Sequence, residues 1–158
     1  MEEAKEVKLY EDDAEKKQYI VVKLGTEQYG IDIQYVDNIV RMQRITRVPK
    51  AQSFFKGVIN LRGEIIPVMC LRRKFGLEHS DYTNATRIII IKLEAQSAIG
   101  IIVDEVREVV TLSKDEIDKP AYDGKDEKAQ YLAGIGKHAG GLISLLNISG
   151  VIVEKEPI

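Results

Sequence analysis

The chain has 158 residues and a formal net charge of −2, with 44% of its residues hydrophobic and 30% charged, the profile of one globular domain or of two small halves sharing a core. Its 21 Ile and 14 Val far outnumber its 11 Leu and 10 Ala, and β-branched side chains fit a pleated surface better than a helix, so a mostly-β protein is expected. The single cysteine, Cys70, excludes an internal disulfide framework and a cysteine-based zinc site, and no apolar run approaches the ~20 residues of a membrane span.

Residues 1–17 carry much charge and little apolar surface, which predicts a flexible acidic tail. This start has the character of neither a signal nor a transit peptide, so a reducing, cytoplasmic location is the expectation. Tyr19–Leu24 reads as a strand closed by a turn at Gly25-Thr26-Glu27, and Tyr29, Ile31 and Ile33 alternate with polar or small residues as a half-buried strand does. Val36, Ile39 and Val40 shift to spacings of three and four, predicting a helical turn. Gly57–Leu61 and Ile65–Leu71 are strands joined by a tight hairpin at Arg62-Gly63-Glu64, followed by a short helix over Arg72–Phe75 that stops at Gly76. Further strands are expected at Arg87–Leu93, Ile99–Val103, Val106–Leu112, Tyr131–Ile135 and Leu142–Ile148. Ser113-Lys114-Asp115-Glu116 has the form of a capping box, and residues 118–130 form a long polar loop.

The second half repeats the first. Gly30 through Val40 matches Gly100 through Val110 without a gap at an offset of 70, and Ile31, Ile33, Val36, Ile39 and Val40 all meet Ile or Val. Gly57 faces Gly134 and Gly63 faces Gly140 at an offset of 77, the difference being extra length in the 118–130 loop. Two such repeats predict two β-barrels, since closure removes the exposed edges of antiparallel sheets. The expected division is a first barrel half over 18–77, a crossing over 78–86 and a second barrel half over 87–158.

Catalytic and metal-binding patterns are missing. No P-loop occurs, and Gly134-Ile-Gly136-Lys-His-Ala139 precedes an apolar β-like run instead of the helix that would receive a pyrophosphate. His79 and His138 lie far apart, and Cys70 sits within an apolar run as a small buried hydrophobe. No catalytic residue, metal or cofactor is expected. What stands out is charge. From Arg41 to Lys74 there are nine basic residues and one acid, a local charge of +8 that leaves −10 for the remainder. Such asymmetry points to a binding surface. Arg62, on a tight turn between two apolar strands, is the most informative single residue, and Ile33 and Val36 lie three apart beside Asp37 and Asn38. One alternative is a small β-barrel that binds RNA or single-stranded DNA through the basic 41–74 region, although Phe54-Phe55 is the only aromatic pair there for stacking.

The run Gly57-Val-Ile-Asn-Leu-Arg-Gly-Glu-Ile-Ile-Pro-Val68 followed by Leu71-Arg72 resembles the signature of the CheW family of bacterial chemotaxis coupling proteins. Tyr29–Ile33, Thr46–Pro49 and Gly100–Val106 are similar to that family too, so the resemblance runs from about Gln18 to about Ile152. It implies two five-stranded SH3-like barrels packed around a shared core, one CheW-like domain over 18–152. It also implies a non-enzymatic adaptor joining the cytoplasmic tips of transmembrane chemoreceptors to the regulatory domain of the histidine kinase CheA, cytoplasmic and recruited to membrane receptor arrays, without insertion into the membrane and without nucleic acid. Carried over, the receptor-facing groove takes in Ile33, Val36, Asn38 and Arg62, with Val103 added from the repeat. The kinase-facing surface takes in Ile45, Lys56 and Ile65. Two positions depart from the family's habit. Asn38 stands where members often carry a Glu that pairs with the arginine at Arg62, which leaves Arg62 to Asp37 or to a receptor. Cys70 stands where members often carry an Asp, and cysteine caps a following turn poorly.

Overall fold

A computed structural model describes residues 16–49, 55–92, 97–119, 130–139 and 141–152. The expected acidic tail lies outside these up to residue 15, as does most of the 118–130 loop; Lys17 already opens the first strand.

Strands β1 (Lys17–Leu24) and β2 (Glu27–Asp32) form a hairpin around Gly25, and a 3-10 turn over Ile33–Tyr35 leads into β3 (Val36–Arg41). The expected helical turn at Val36–Val40 is therefore one turn earlier, and those residues are strand. Next come β4 (Phe55–Leu61) and β5 (Glu64–Cys70), a short helix over Leu71–Lys74, and β6 (Arg87–Lys92), β7 (Ala98–Val103) and β8 (Glu105–Leu112). A second 3-10 turn over Lys114–Glu116 has the expected capping box, with Glu116 accepting from the Ser113 N–H at 3.0 Å. The chain then runs through β9 (Ile117–Asp118), β10 (Leu132–His138) and β11 (Gly141–Leu146) to a helix over Ile148–Ile152.

The mostly-β expectation holds: the strands form a six-stranded sheet ordered β8-β1-β2-β11-β10-β9 and a five-stranded sheet ordered β3-β6-β7-β5-β4. The sheets do not coincide with the two halves of the sequence. β1 and β2 join the sheet of β8–β11, while β6 and β7 join that of β3–β5. The expected barrel halves at 18–77 and 87–158 each give strands to both sheets, so neither span coincides with one sheet. The chain passes between sheets at Ile33–Tyr35 and at Asp104, and residues 78–86 connect β5 to β6 within one sheet.

The exchange is reciprocal. β2 pairs in parallel with β11, Gly30 opposite Leu145; β7 pairs in parallel with β5, Gly100 opposite Val68. Both matches obey the offsets of 70 and 77 read from the sequence. The glycines let neighbouring side chains lie over the strand. A Cβ on Gly30 would come within 2.7 Å of the Leu145 Cδ2, and one on Gly100 within 2.8 Å of the Ile88 Cγ2.

This interleaving explains why the central strands are apolar on both faces. On β1, Ile20, Val22 and Leu24 enter a core between the sheets, whereas Tyr19 and Val21 enter the core of the six-stranded sheet. On β6, Ile89 and Ile91 face the shared core, and Ile88 and Ile90 the core of the five-stranded sheet. A strand covered twice reads as a continuous run, not an alternation, and each such side chain contributes about 1.5–3 kcal/mol by burial.

One polar latch ties the sheets together. The Arg72 Nε donates to the Asp104 Oδ1 at 2.8 Å and its Nη2 to the Asp104 Oδ2, which also accepts from the Gly25 N–H at 2.8 Å. The helix after β5, the β7–β8 junction and the β1–β2 turn thus meet at one half-buried carboxylate. The Arg72 hydrogen bonds hold the Asp104 carboxyl below its ordinary value, against the opposing effect of burial.

Candidate functional site

The residues expected to form a receptor groove lie in two places. Ile33, Val36 and Asn38 follow one another on the crossing from β2 to β3. The 3-10 turn there is fixed by Asp32, whose Oδ1 accepts from the Gln34 N–H at 3.1 Å. It leaves Ile33 36% exposed, while Val36 is half-buried against the shared core. The pairing of β3 with β6 slips between Val36 and Asn38, and the Asn38 Oδ1 accepts from the Ile39 N–H at 2.9 Å beside this bulge. Asn38 therefore serves its own backbone.

Arg62 stands elsewhere, at the tip of the β4–β5 hairpin, with β4 and β3 at opposite ends of the strand order. Its backbone is left-handed at φ 54, and Gly63 follows at φ 84, the paired positive angles of a two-residue hairpin. The Asn60 Oδ1 closes the turn by accepting from the Gly63 N–H at 3.1 Å. The guanidinium is exposed, and no carboxylate among the described residues pairs with it; Asp37 lies 3.9 Å from the Lys92 Nζ instead. Val103 is a correction. It is fully buried in the shared core, because β7 is central in its sheet and covered on both faces, so it presents no surface to a receptor.

The expected kinase-facing residues lie on the five-stranded sheet and its flank. Ile65 on β5 is 60% exposed. Ile45 and Lys56 line one concavity of about 350 Å³ together with Arg47, Phe55, Arg73 and Tyr82. Its walls come from four places: the segment after β3, the start of β4, the helix over Leu71–Lys74 and the connection to β6. The first two are joined by a two-way backbone bridge between Thr46 and Val58, 2.8 Å in each direction. Gly57 makes that approach possible. It sits at φ 144, and a Cβ there would fall 2.0 Å from the Thr46 carbonyl oxygen. Burial, with the nearby Cys70 adding to it and Arg73 opposing it, raises the pKa of Tyr82, so its hydroxyl remains a donor.

Sequence reasoning counted the cations of this region but not which of them converge. Arg72 is spent on Asp104, and the Lys74 Nζ lies 5.7 Å from the Tyr131 ring centroid, while Arg47, Lys56 and Arg73 share one hollow. Among the described residues no group of three or more His, Cys, Asp or Glu side chains is placed to hold a metal ion, and no helix is long and apolar enough to cross a membrane. The arrangement offers binding chemistry: an exposed arginine, an exposed apolar strand position and a cationic hollow with apolar walls.

The model of the CheW-like domain family matches residues 18–156. The chemotaxis protein CheW of Klebsiella aerogenes is 34% identical over 141 residues, covering 89% of this chain and 84% of that protein. That of Bacillus subtilis is 33% identical over 137 residues, covering 87% and 86%. A crystal structure of the scaffolding protein TtCheW from Thermoanaerobacter tengcongensis has a TM-score of 0.76 to this chain at 35% identity, covering 83% of this chain and 88% of that one.

Proposed function

The chain belongs to the CheW-like domain family, and from that premise we propose that it couples transmembrane chemoreceptors to the histidine kinase CheA, working in the cytoplasm at membrane receptor arrays. It is a chemotaxis adaptor. Its task is to hold partners together and not to transform a substrate, so the residues that matter are contact residues. The observation that carries this reading is the family match across both sheets, 18–156.

In this reading a receptor's helical tip meets Ile33, Val36 and Asn38 on one side and Arg62 on another, with Val103 acting from behind as packing. Exposure of Ile33 and of the Arg62 guanidinium, which has no carboxylate partner among the described residues, supports that role. The kinase regulatory domain docks on Ile45, Lys56 and Ile65, and an apolar side chain as open as Ile65 gains most from being covered. The nucleic-acid alternative is not favoured, because the family match points to an adaptor and Arg72 and Lys74 of the basic stretch are engaged within the protein.

Separate pull-downs with the regulatory domain of CheA and with a receptor's cytoplasmic tip test the proposal. Saturable binding to each at micromolar concentration is expected. Binding to neither, with the protein folded, would contradict it.

A further inference from the structure

We propose that the hollow lined by Ile45, Arg47, Phe55, Lys56, Arg73 and Tyr82 receives an aspartate or glutamate side chain of the kinase regulatory domain, flanked on that partner by apolar residues. This rests on the reading that the face carrying Ile45 and Lys56 docks the kinase, and it names the chemistry of the contact.

Arg47, Lys56, Arg73 and Tyr82 are among the residues that line the space, and none of the described lining residues is acidic. A carboxylate entering beside Arg47 and Lys56 would accept charge-assisted hydrogen bonds from both. Arginine's fork suits a carboxylate in particular. The walls are held before any partner arrives. The Thr46–Val58 bridge fixes the segment bearing Ile45 and Arg47 against β4. Arg73 follows Arg72, which is clamped to Asp104. Tyr82 precedes a turn in which the Thr83 N–H donates to the Thr86 Oγ1 at 2.8 Å. A site held in place loses little entropy on binding. The apolar walls, Ile45 and Phe55, favour a protein side chain with apolar neighbours over a free phosphate. Arg72, paired with Asp104, and Lys74, over the Tyr131 ring, are less available to the phosphates of a nucleic-acid strand.

The test is a titration of the full chain with the kinase regulatory domain at low and high salt, using the wild type, Arg47→Glu, Lys56→Glu, the milder Arg47→Gln and Ile65→Asp, with thermal unfolding run on each. Wild-type affinity is expected to fall about tenfold between about 50 and 500 mM NaCl. Each charge reversal should weaken low-salt binding about tenfold or more and flatten the salt dependence, with Arg47→Gln between. Inorganic phosphate at matched ionic strength should not compete. If Ile65→Asp weakens binding while the charge reversals bind as tightly as wild type and salt has no effect, the carboxylate contact is overturned and the docking face stands. Competition by phosphate overturns the carboxylate assignment. If the folded wild type does not bind the kinase domain at all, the docking face and this contact fall together.

Discussion

The five- and six-stranded sheets share a frame and differ in what the frame carries. Each has a central glycine, Gly100 or Gly30, beneath a parallel strand from the other repeat. Each has a hairpin whose tip bears a left-handed non-glycine residue, Arg62 at φ 54 and Ala139 at φ 49. Each exposes a large apolar residue at the same place after that tip, Ile65 and Leu142. A short extra pairing edges both sheets, Thr46 with Val58 and Asp118 with Ile135. The side chains then diverge. Arg62 is matched by Ala139, Lys56 by Ala133 and Arg73 by Gly150. Arg47 has a cationic match in Lys119, but there Asp118 pairs with Lys137 at 2.8 Å, so a carboxylate is already present. Duplication preserved backbone pairing and packing, while Lys56, Arg73 and the arginine tip have no cationic counterpart in the other repeat.

The largest contrast is expected at the two edge glycines. Gly57→Ala forces a Cβ into the Thr46 carbonyl at a φ that side chains rarely adopt, and should cost about 3 kcal/mol. Gly134→Ala meets the Ile117 Cγ2 at 2.9 Å and the Asp118 carbonyl oxygen at 3.0 Å with no positive φ, and should cost about 1–2 kcal/mol. Urea unfolding of both variants checks the order; equal losses would mean that the two edges are built alike.

The latch has no counterpart, since the repeat sets Ser149 against Arg72 and Gln34 against Asp104. Arg72→Ala or Asp104→Asn should therefore cost about 1–3 kcal/mol and Ser149→Ala less than about 0.5. The pH dependence has a definite sign. The Asp104 pKa is lowered by folding, so its contribution is present above the unfolded carboxyl value of about 3.9 and is lost as pH falls through the folded one. Acid unfolding of Asp104→Asn should lack that part of the transition.

Much of the frame was legible in the sequence. Apolar runs, with period-2 alternation at Tyr29–Ile33, located the strands, the two offsets located the repeat, and Ser113 with Glu116 announced a cap that formed as expected. Strand exchange was not legible, because alternation tells which face of a strand is buried and not which sheet receives it. A repeat predicts equivalent pairings equally well within a repeat or across repeats. Val103 shows the cost of that ambiguity: placed by analogy with Ile33, it lies inside a doubly covered strand, while Ile33 sits on a turn at 36% exposure. Arg72 and Asp104 are thirty-two residues apart, and nothing local marks them as partners. The convergence of Arg47, Lys56 and Arg73 likewise depends on the Thr46–Val58 bridge, a contact set by Gly57 and invisible to composition.

The smallest effect on the fold is expected at the hairpin tips, and there the comparison bears most on function. Ala139→Gly should leave stability within about 1 kcal/mol of wild type, with a gain from relief of the left-handed backbone, and should not affect binding. Arg62→Ala keeps the turn, and since the guanidinium is exposed and unpaired among the described residues, stability should stay within about 0.5 kcal/mol. The decisive measurement is the affinity of purified Arg62→Ala for a receptor's cytoplasmic tip and for the kinase regulatory domain, titrated separately against wild type. Receptor binding should weaken by about 1–3 kcal/mol, roughly 5–150-fold, with kinase binding unchanged. Unchanged receptor binding, or equal loss toward both partners, would contradict the assignment of Arg62 to a receptor contact distinct from the kinase-facing surface.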